Sequence, residues 1–285
     1  MFKIPQAVKG SLQQNLNSQI LNLKSSLGSD AFYDQLGNKI ILQASPNKII
    51  SLVPSQTELL FDLGLDEQIV GITKFCIHPA KAFKEKTIIG GTKKFDFDVI
   101  DRLTPDLIIG NKEENYKEGI DLLKEKYPVW MSDIVTLEDS FSMIKGIGAV
   151  CGKHDEATWI VSKITSAFDQ LKKKSAKRIL YLIWRKPWMA AGAGTFIHSM
   201  ISTIGWKNAI ETKSRYPELS SEEIQSINPE LILLSSEPYP FSEKHIDEIQ
   251  QLVPAAKIML VDGEMFSWYG SRLAKAPEYI NSLAG

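Results

Sequence analysis

Hydrophobic positions along this chain fall into two rhythms: short unbroken runs, and stretches in which apolar residues recur every three or four positions. Leu12, Leu16, Ile20, Leu23 and Leu27 follow the second rhythm and predict an amphipathic helix. Phe32 to Leu42 alternates around Gly37-Asn38, the pattern of a short hairpin. Pro46 introduces the run Ile49 to Val53, which reads as a buried parallel-type strand. Ser55, with Glu58 three residues on, predicts a capping box for the next helix. Leu59, Leu60 and Leu63 form that helix's apolar face, and Gly64 ends it. Strand and helix then alternate through 70–72, 99–103, 107–109, 120–126 and 129–131, the signature of an α/β layer with a mostly parallel sheet.

Residues 137–174 contain no proline, and their apolar positions, from Leu137 through Ile144, Ile147, Ala157, Ile160 and Ile164 to Leu171, are spaced helically. One long helix is expected here, or two nearly in line, with Gly152 the only break. The alternation then resumes. Strand 179–183, helix 196–204, helix 221–226, strand 231–234, helix 244–252, strand 258–261 and a last helix 271–283 complete the chain.

The two alternating halves resemble each other. Residues 98–114 read DVIDRLTPDLIIGNKEE and residues 222–238 read EEIQSINPELILLSSEP, so Pro105 answers Pro229, Asp106 answers Glu230 and Glu113 answers Glu237. Upstream, Ile49 to Leu52 answers Ile179 to Leu182. A duplicated sequence implies two similar lobes, and facing lobes enclose a cleft suited to a small molecule. The expected organisation is an N-terminal helix and hairpin (1–45), a first α/β lobe (46–134), a bridging helix (135–175) and a second α/β lobe (176–285). The single helical crossing between lobes implies small rocking motions rather than wide closure.

Composition narrows the function. The chain has 285 residues, 44% of them hydrophobic and 24% charged, with a formal net charge of −1, which fits a well-packed globular protein and argues against nucleic acid as a partner. Cys76 and Cys151 make neither a disulfide framework nor a paired metal motif. The first thirty residues lack the apolar run of a secretory leader. A cytoplasmic location is therefore expected for the chain as written, or a periplasmic one if the true start or a removed leader lies upstream.

The segments that follow the predicted strands are rich in aromatic and polar residues, and in α/β sheets such segments converge on one ligand-binding edge. Phe75, His78, Glu113, Trp184, Trp188, Tyr239, Phe241 and Trp268 are expected to line the cleft on this ground. Large amphipathic side chains with a few charges suit a large ligand that is partly apolar and partly polar. No HxxxH or CxxC spacing supports a bare metal site, and no Walker loop, GxGxxG, GxSxG or HExxH supports a catalytic one. Gly192 to Thr195 reads as a tight turn with Thr195 as helix cap, and His198 and His245 as structural or solvated. A metal already held in an organic chelate remains compatible with these residues.

The strings DQLGNKIIL and PNKIISLVPSQTELLFDLG, then TPDLII, the long proline-free helix and the repeated half resemble substrate-binding proteins of ABC importers for iron-siderophores, haem and vitamin B12. The resemblance runs from Phe32 to the end and is strongest to the vitamin B12 branch. It implies two α/β lobes bridged by a helix, and a monomer without catalytic activity or intrinsic cofactor. Such a protein binds a cobalt corrinoid or ferric chelate in the cleft and delivers it to a membrane permease. In the B12 branch an acidic residue on each lobe docks on the permease, and these fall at Asp98 and Glu222. Aromatic residues cradling the ligand fall near Phe75 and on Trp184 to Trp188, whereas another of that branch's aromatics is replaced by Thr92. An intracellular corrinoid-salvage enzyme, chaperone or storage protein of the same fold is the alternative, and a bare-metal receptor a third reading.

Overall fold

The computed structural model describes residues 30–283; the predicted helix over Leu12 to Leu27 lies outside the described residues. Strands β1 (Asp30–Tyr33) and β2 (Lys39–Leu42) pair antiparallel as the expected hairpin. Its buried Asp34 accepts hydrogen bonds from the backbone of Leu36 and Asn38, and also from Met131 N at 3.1 Å. That long-range bond fastens the hairpin to the first lobe.

The first lobe contains β3 (Ile49–Ser51), α1 (Pro54–Asp62), β4 (Ile69–Ile72), α2 (Ala80–Glu85), β5 (Thr87–Ile88), β6 (Gly90–Gly91), β7 (Lys94–Phe95), α3 (Phe97–Leu103), β8 (Leu107–Asn111), α4 (Lys117–Lys124) and β9 (Val129–Ser132). Its five-stranded sheet has the order β5-β4-β3-β8-β9 and is parallel throughout, and β6 and β7 form a small separate hairpin. The sheet's central strands are buried along their whole length, as their unbroken apolar runs require.

The proline-free stretch is two helices, α5 (Leu137–Val150) and α6 (His154–Asp169), and the break is at Gly152, whose φ of +68° suits glycine. A Cβ on Gly148 would stand 2.3 Å from the Ala157 Cβ, so the two helices press together at this corner. The segment expected to bridge the lobes thus holds two helices that meet at a corner, and Ser140 in the first of them donates to the Tyr269 carbonyl of the second lobe at 2.6 Å.

The second lobe contains β10 (Arg178–Trp184), β11 (Trp188–Ala190), α7 (Phe196–Ile204), β12 (Lys207–Asn208), β13 (Glu218–Leu219), α8 (Ser221–Ile227), β14 (Leu231–Ser235), α9 (Lys244–Leu252), β15 (Lys257–Val261), α10 (Glu264–Ser267), a 3-10 turn (Ser271–Lys275) and α11 (Ala276–Ser282). The parallel part, β10-β14-β15, is extended by antiparallel β11 and β13, while β12 pairs parallel to β10. The single closing helix expected over 271–283 is instead a 3-10 turn followed by an α-helix with a proline in its first turn. Pro277 lacks the N–H that a longer helix would need there.

The duplication is visible in the register. Ile49 lies opposite Leu107, and their counterparts Ile179 and Leu231 lie opposite each other. Each module runs helix, left-handed residue, proline, acid, strand: Thr104 (φ 47°) precedes Pro105 and Asp106, and Asn228 (φ 43°) precedes Pro229 and Glu230. Both acids tie the turn to the neighbouring strand's start. Asp106 accepts from Asn47 N and Lys48 N at 2.8 and 3.0 Å, and Glu230 accepts from Arg178 N at 2.8 Å.

Packing does not follow the lobes. One continuous core takes in the first lobe, both helices α5 and α6, and the face of the second sheet that carries Ile179, Tyr181, Ile183, Leu231 and Leu233. The other face, with Leu180, Leu182, Ile232 and Leu234, buries a separate core. The period of two along β10 and β14 makes this division.

Candidate functional site

Several polar contacts cross between the two lobes. Helix α1 begins at Pro54, a residue suited to the first helical position. This corrects the expected capping box: Ser55 sits inside the helix with its side chain buried, no side chain caps the helix start, and Glu58 turns to the other lobe. There Arg272, in the 3-10 turn, donates from Nε and Nη2 to the two Glu58 oxygens at 2.7 and 2.8 Å. Its Nη1 also meets Glu264 at 2.7 Å, and its guanidinium lies 4.8 Å over the Trp268 ring. His78 of the first lobe approaches the same Glu264 at 3.3 Å and packs edge-on against Trp268.

A second crossing lies beside the first. The Tyr269 hydroxyl donates to Glu114 at 2.5 Å, and Arg215 pairs with Glu113. Burial pushes the Glu114 carboxyl up to about 7, with the charge of Glu237 adding to the effect. Glu237 is itself held above the ordinary carboxylate range by burial, although Ser267 Oγ and Trp268 Nε1 donate to it at 2.7 and 2.9 Å.

Beyond these contacts an open groove of about 1090 Å³ separates the lobes. Its first-lobe wall is the β6–β7 hairpin with Lys74, Phe75, Phe97 and Asp98, and its second-lobe wall is Trp184 and Pro238. Phe75 is 49% exposed and Trp184 39%, unusual for large aromatic rings in a well-packed protein. The local fold explains both. Phe75 stands in the turn after β4, while the buried neighbour Cys76 anchors that turn through Thr57 and Thr73. Trp184 ends β10, where the strand irregularity next to β11 leaves it facing outward, propped edge-on by Tyr239.

The residues expected to line the cleft therefore separate into three groups. Phe75 and Trp184 face the groove, with Tyr239 half-buried behind Trp184. His78, Glu113 and Trp268 lie on the lobe boundary, engaged with Glu264, Arg215 and Glu237 rather than with open space. Trp188 and Phe241 do not reach the cleft: they stack on each other, 6.4 Å apart at 7°, inside the outer core of the second lobe. The reason is strand alternation, which turns Trp188 to the sheet face opposite the cleft-side core. Asp98 is exposed and lines the groove, and Glu222 is exposed in the first turn of α8. The lysines of the β6–β7 hairpin and Arg272 were missed by sequence reasoning, because two-residue strands and a 3-10 turn leave no periodic signal.

The remaining candidates are structural. Thr195 caps α7 by accepting from His198 N, His245 is buried between Ser242 and Tyr239, and Cys151 is buried at the end of α5. Among the described residues there is no cluster of three histidine, cysteine or acidic side chains able to hold a metal ion, and no helix long and apolar enough to cross a membrane.

A sequence model described as periplasmic binding protein matches residues 49–257, most of the chain and parts of both lobes. The chain belongs to the periplasmic binding protein family. A vitamin B12-binding protein of Pectobacterium carotovorum is 22% identical over 247 residues, covering 84% of this chain and 88% of the relative. Two solved structures share the fold. The petrobactin-binding protein YclQ of Bacillus subtilis aligns over 91% of this chain and all of its own, with a TM-score of 0.75 and 22% identity. The periplasmic haem-binding protein HutB of Vibrio cholerae aligns over 84% of this chain and 99% of its own, with a TM-score of 0.69 and 21% identity. These likenesses show the two-lobe α/β fold.

Proposed function

We propose that this protein is a non-catalytic receptor that holds a metal chelate in the groove between its lobes and hands it to an ABC-type permease. The observation that carries this reading is the pairing of two exposed aromatic rings, Phe75 and Trp184, on opposite walls of a groove shared by both lobes. Such rings stack on a large flat ligand without making or breaking its bonds. The ligands of similar proteins, vitamin B12, petrobactin and haem, support a chelate in this position.

Asp98 and Glu222 are the carboxylates proposed to meet the permease. Their support is positional: they occupy the same place in the two copies of the repeated module, each in the first turn of its helix and each exposed. An import role calls for a location outside the cytoplasmic membrane, and fractionation of the native protein with sequencing of its N-terminus tests it. Protein recovered only from the cytosol would oppose that role.

The binding reading is tested by recording the absorbance and mass of whatever copurifies, then titrating the stripped protein with corrinoid, haem and ferric siderophore. One complex is expected to bind at one equivalent and to be recovered chemically unchanged. Conversion of the ligand, or binding of none, would contradict the proposal.

A further inference from the structure

The lining of the groove is chemically one-sided. Lys74, Lys93 and Lys94 all stand on the first-lobe wall, and none of them is ion-paired among the described residues. Lys74 lies 5.1 Å over the Phe75 ring, and Lys93 donates only to the Glu113 carbonyl, at 2.7 Å. Of the two carboxylates on the same wall, Asp96 is engaged in capping α3, where it accepts from Val99 N at 3.1 Å. The opposite wall, Trp184 and Pro238, carries no charge. Three ammonium groups thus stand against two carboxylates, Asp96 and Asp98, so the lining is positive on balance. Partial desolvation of its ammonium disfavours the charge of Lys93, and the nearby charge of Glu114 opposes that effect.

The lining is also poor in metal donors. It includes no histidine, cysteine, methionine or tyrosine. His78, the imidazole expected at the cleft, is turned to Glu264 and Trp268 instead. Imidazole, sulfur and phenolate are the donors that complete the coordination of a haem iron. A metal entering this groove must therefore bring its coordination sphere already filled.

Resting on the chelate-receptor reading above, we propose that the groove selects a polyanionic, coordinatively saturated ferric chelate bearing aromatic rings, the tricatecholate class. Lys74, Lys93 and Lys94 set the charge preference, and Phe75 and Trp184 supply the flat faces. Haem lacks an axial partner here, and cyanocobalamin, which has no net charge, gains little from the three lysines.

Quenching of tryptophan fluorescence on titration tests this, with four probes: the ferric complex of a hexadentate tricatecholate, that of a hexadentate trihydroxamate, cyanocobalamin and haemin. The tricatecholate is expected to bind about tenfold or more tighter than the other three, and to weaken as salt rises. Each Lys→Gln change at 74, 93 or 94 should cost roughly three- to tenfold for that probe, while Lys→Arg retains most of the affinity. The lysines are exposed, so circular dichroism of the variants should match the parent. Equal or tighter binding of trihydroxamate, cyanocobalamin or haemin would overturn the proposal while leaving the chelate-receptor reading intact. So would a Lys74→Gln/Lys93→Gln/Lys94→Gln variant that binds the tricatecholate as the parent does. Failure of all four probes to bind would overturn both.

Discussion

Arg272→Met is the substitution from which the lobe boundary has most to lose. Arg272 is 8% exposed and its guanidinium serves three acceptors: both oxygens of Glu58 and one of Glu264. Methionine keeps much of the side chain's volume beside Trp268 but removes every donor, depriving the buried Glu58 and the half-buried Glu264 of their arginine. Breaking a buried pair from one side costs about 3–5 kcal/mol. Lys275 Nζ at 3.8 Å from Glu58 and His78 at 3.3 Å from Glu264 offer partial replacement, which places the expected loss near the lower end, about 3 kcal/mol. For a chain of this size that corresponds to a fall in Tm of roughly 5 °C. Urea denaturation of the parent, Arg272→Met, Glu58→Gln and the double variant gives the coupling directly, and the double variant should be less damaged than the sum of the singles. A single variant within about 0.5 kcal/mol of the parent, or a coupling near zero, would refute the idea that this contact fastens the lobes.

Trp184→Ala should weaken chelate binding by about 2 kcal/mol with little change in stability, whereas Trp188→Ala should cost about 3 kcal/mol of stability and leave affinity nearly unchanged. Calorimetric titration and thermal melts of both variants check this, and an affinity loss confined to Trp188→Ala would reverse the assignment. Glu114 gives a pH signature. Burial raises its pKa from 4.5 to about 7, so the folded state holds a proton that the unfolded state releases. Its contribution is therefore full below about pH 4.5 and is lost as pH rises through about 7, a slope that urea midpoints across this range should show and Glu114→Gln should flatten. Gly148→Val should destabilise by about 1–3 kcal/mol, because even a Cβ would stand 2.3 Å from that of Ala157; an unchanged denaturation midpoint would mean the helical corner can open freely.

The strands of the central sheets were legible because buried parallel strands are written as unbroken apolar runs, and the Pro105 and Pro229 modules because their turn chemistry is spelled out twice. Where local rules compete, legibility failed. Ser55 and Glu58 spell a capping box, but Pro54 takes the first helical position and Arg272, far away in sequence, claims the carboxylate. Phe75 and Trp184 were identified because each follows a strand. That same criterion also selected Trp188 and Phe241, since position after a strand says nothing about which sheet face a side chain meets. Lys93 and Lys94 are neighbours in the chain, but only tertiary folding brings them to one groove with Lys74 and Trp184, which no local pattern records.

The covalent seam between the lobes, residues 170–177, is not where the molecule would come apart. A chain cut there would leave the first piece with the apolar faces of α5 and α6 stripped of Tyr181, Phe196, Leu273 and Ile280, and the second with one side of its sheet bare. The true partition runs through the plane of that sheet, between side chains pointing up and side chains pointing down on the same strands. Two fragments split at the seam should thus be insoluble alone and complement each other when coexpressed, and an ancestral half able to stand by itself would have had to pair with a copy of itself.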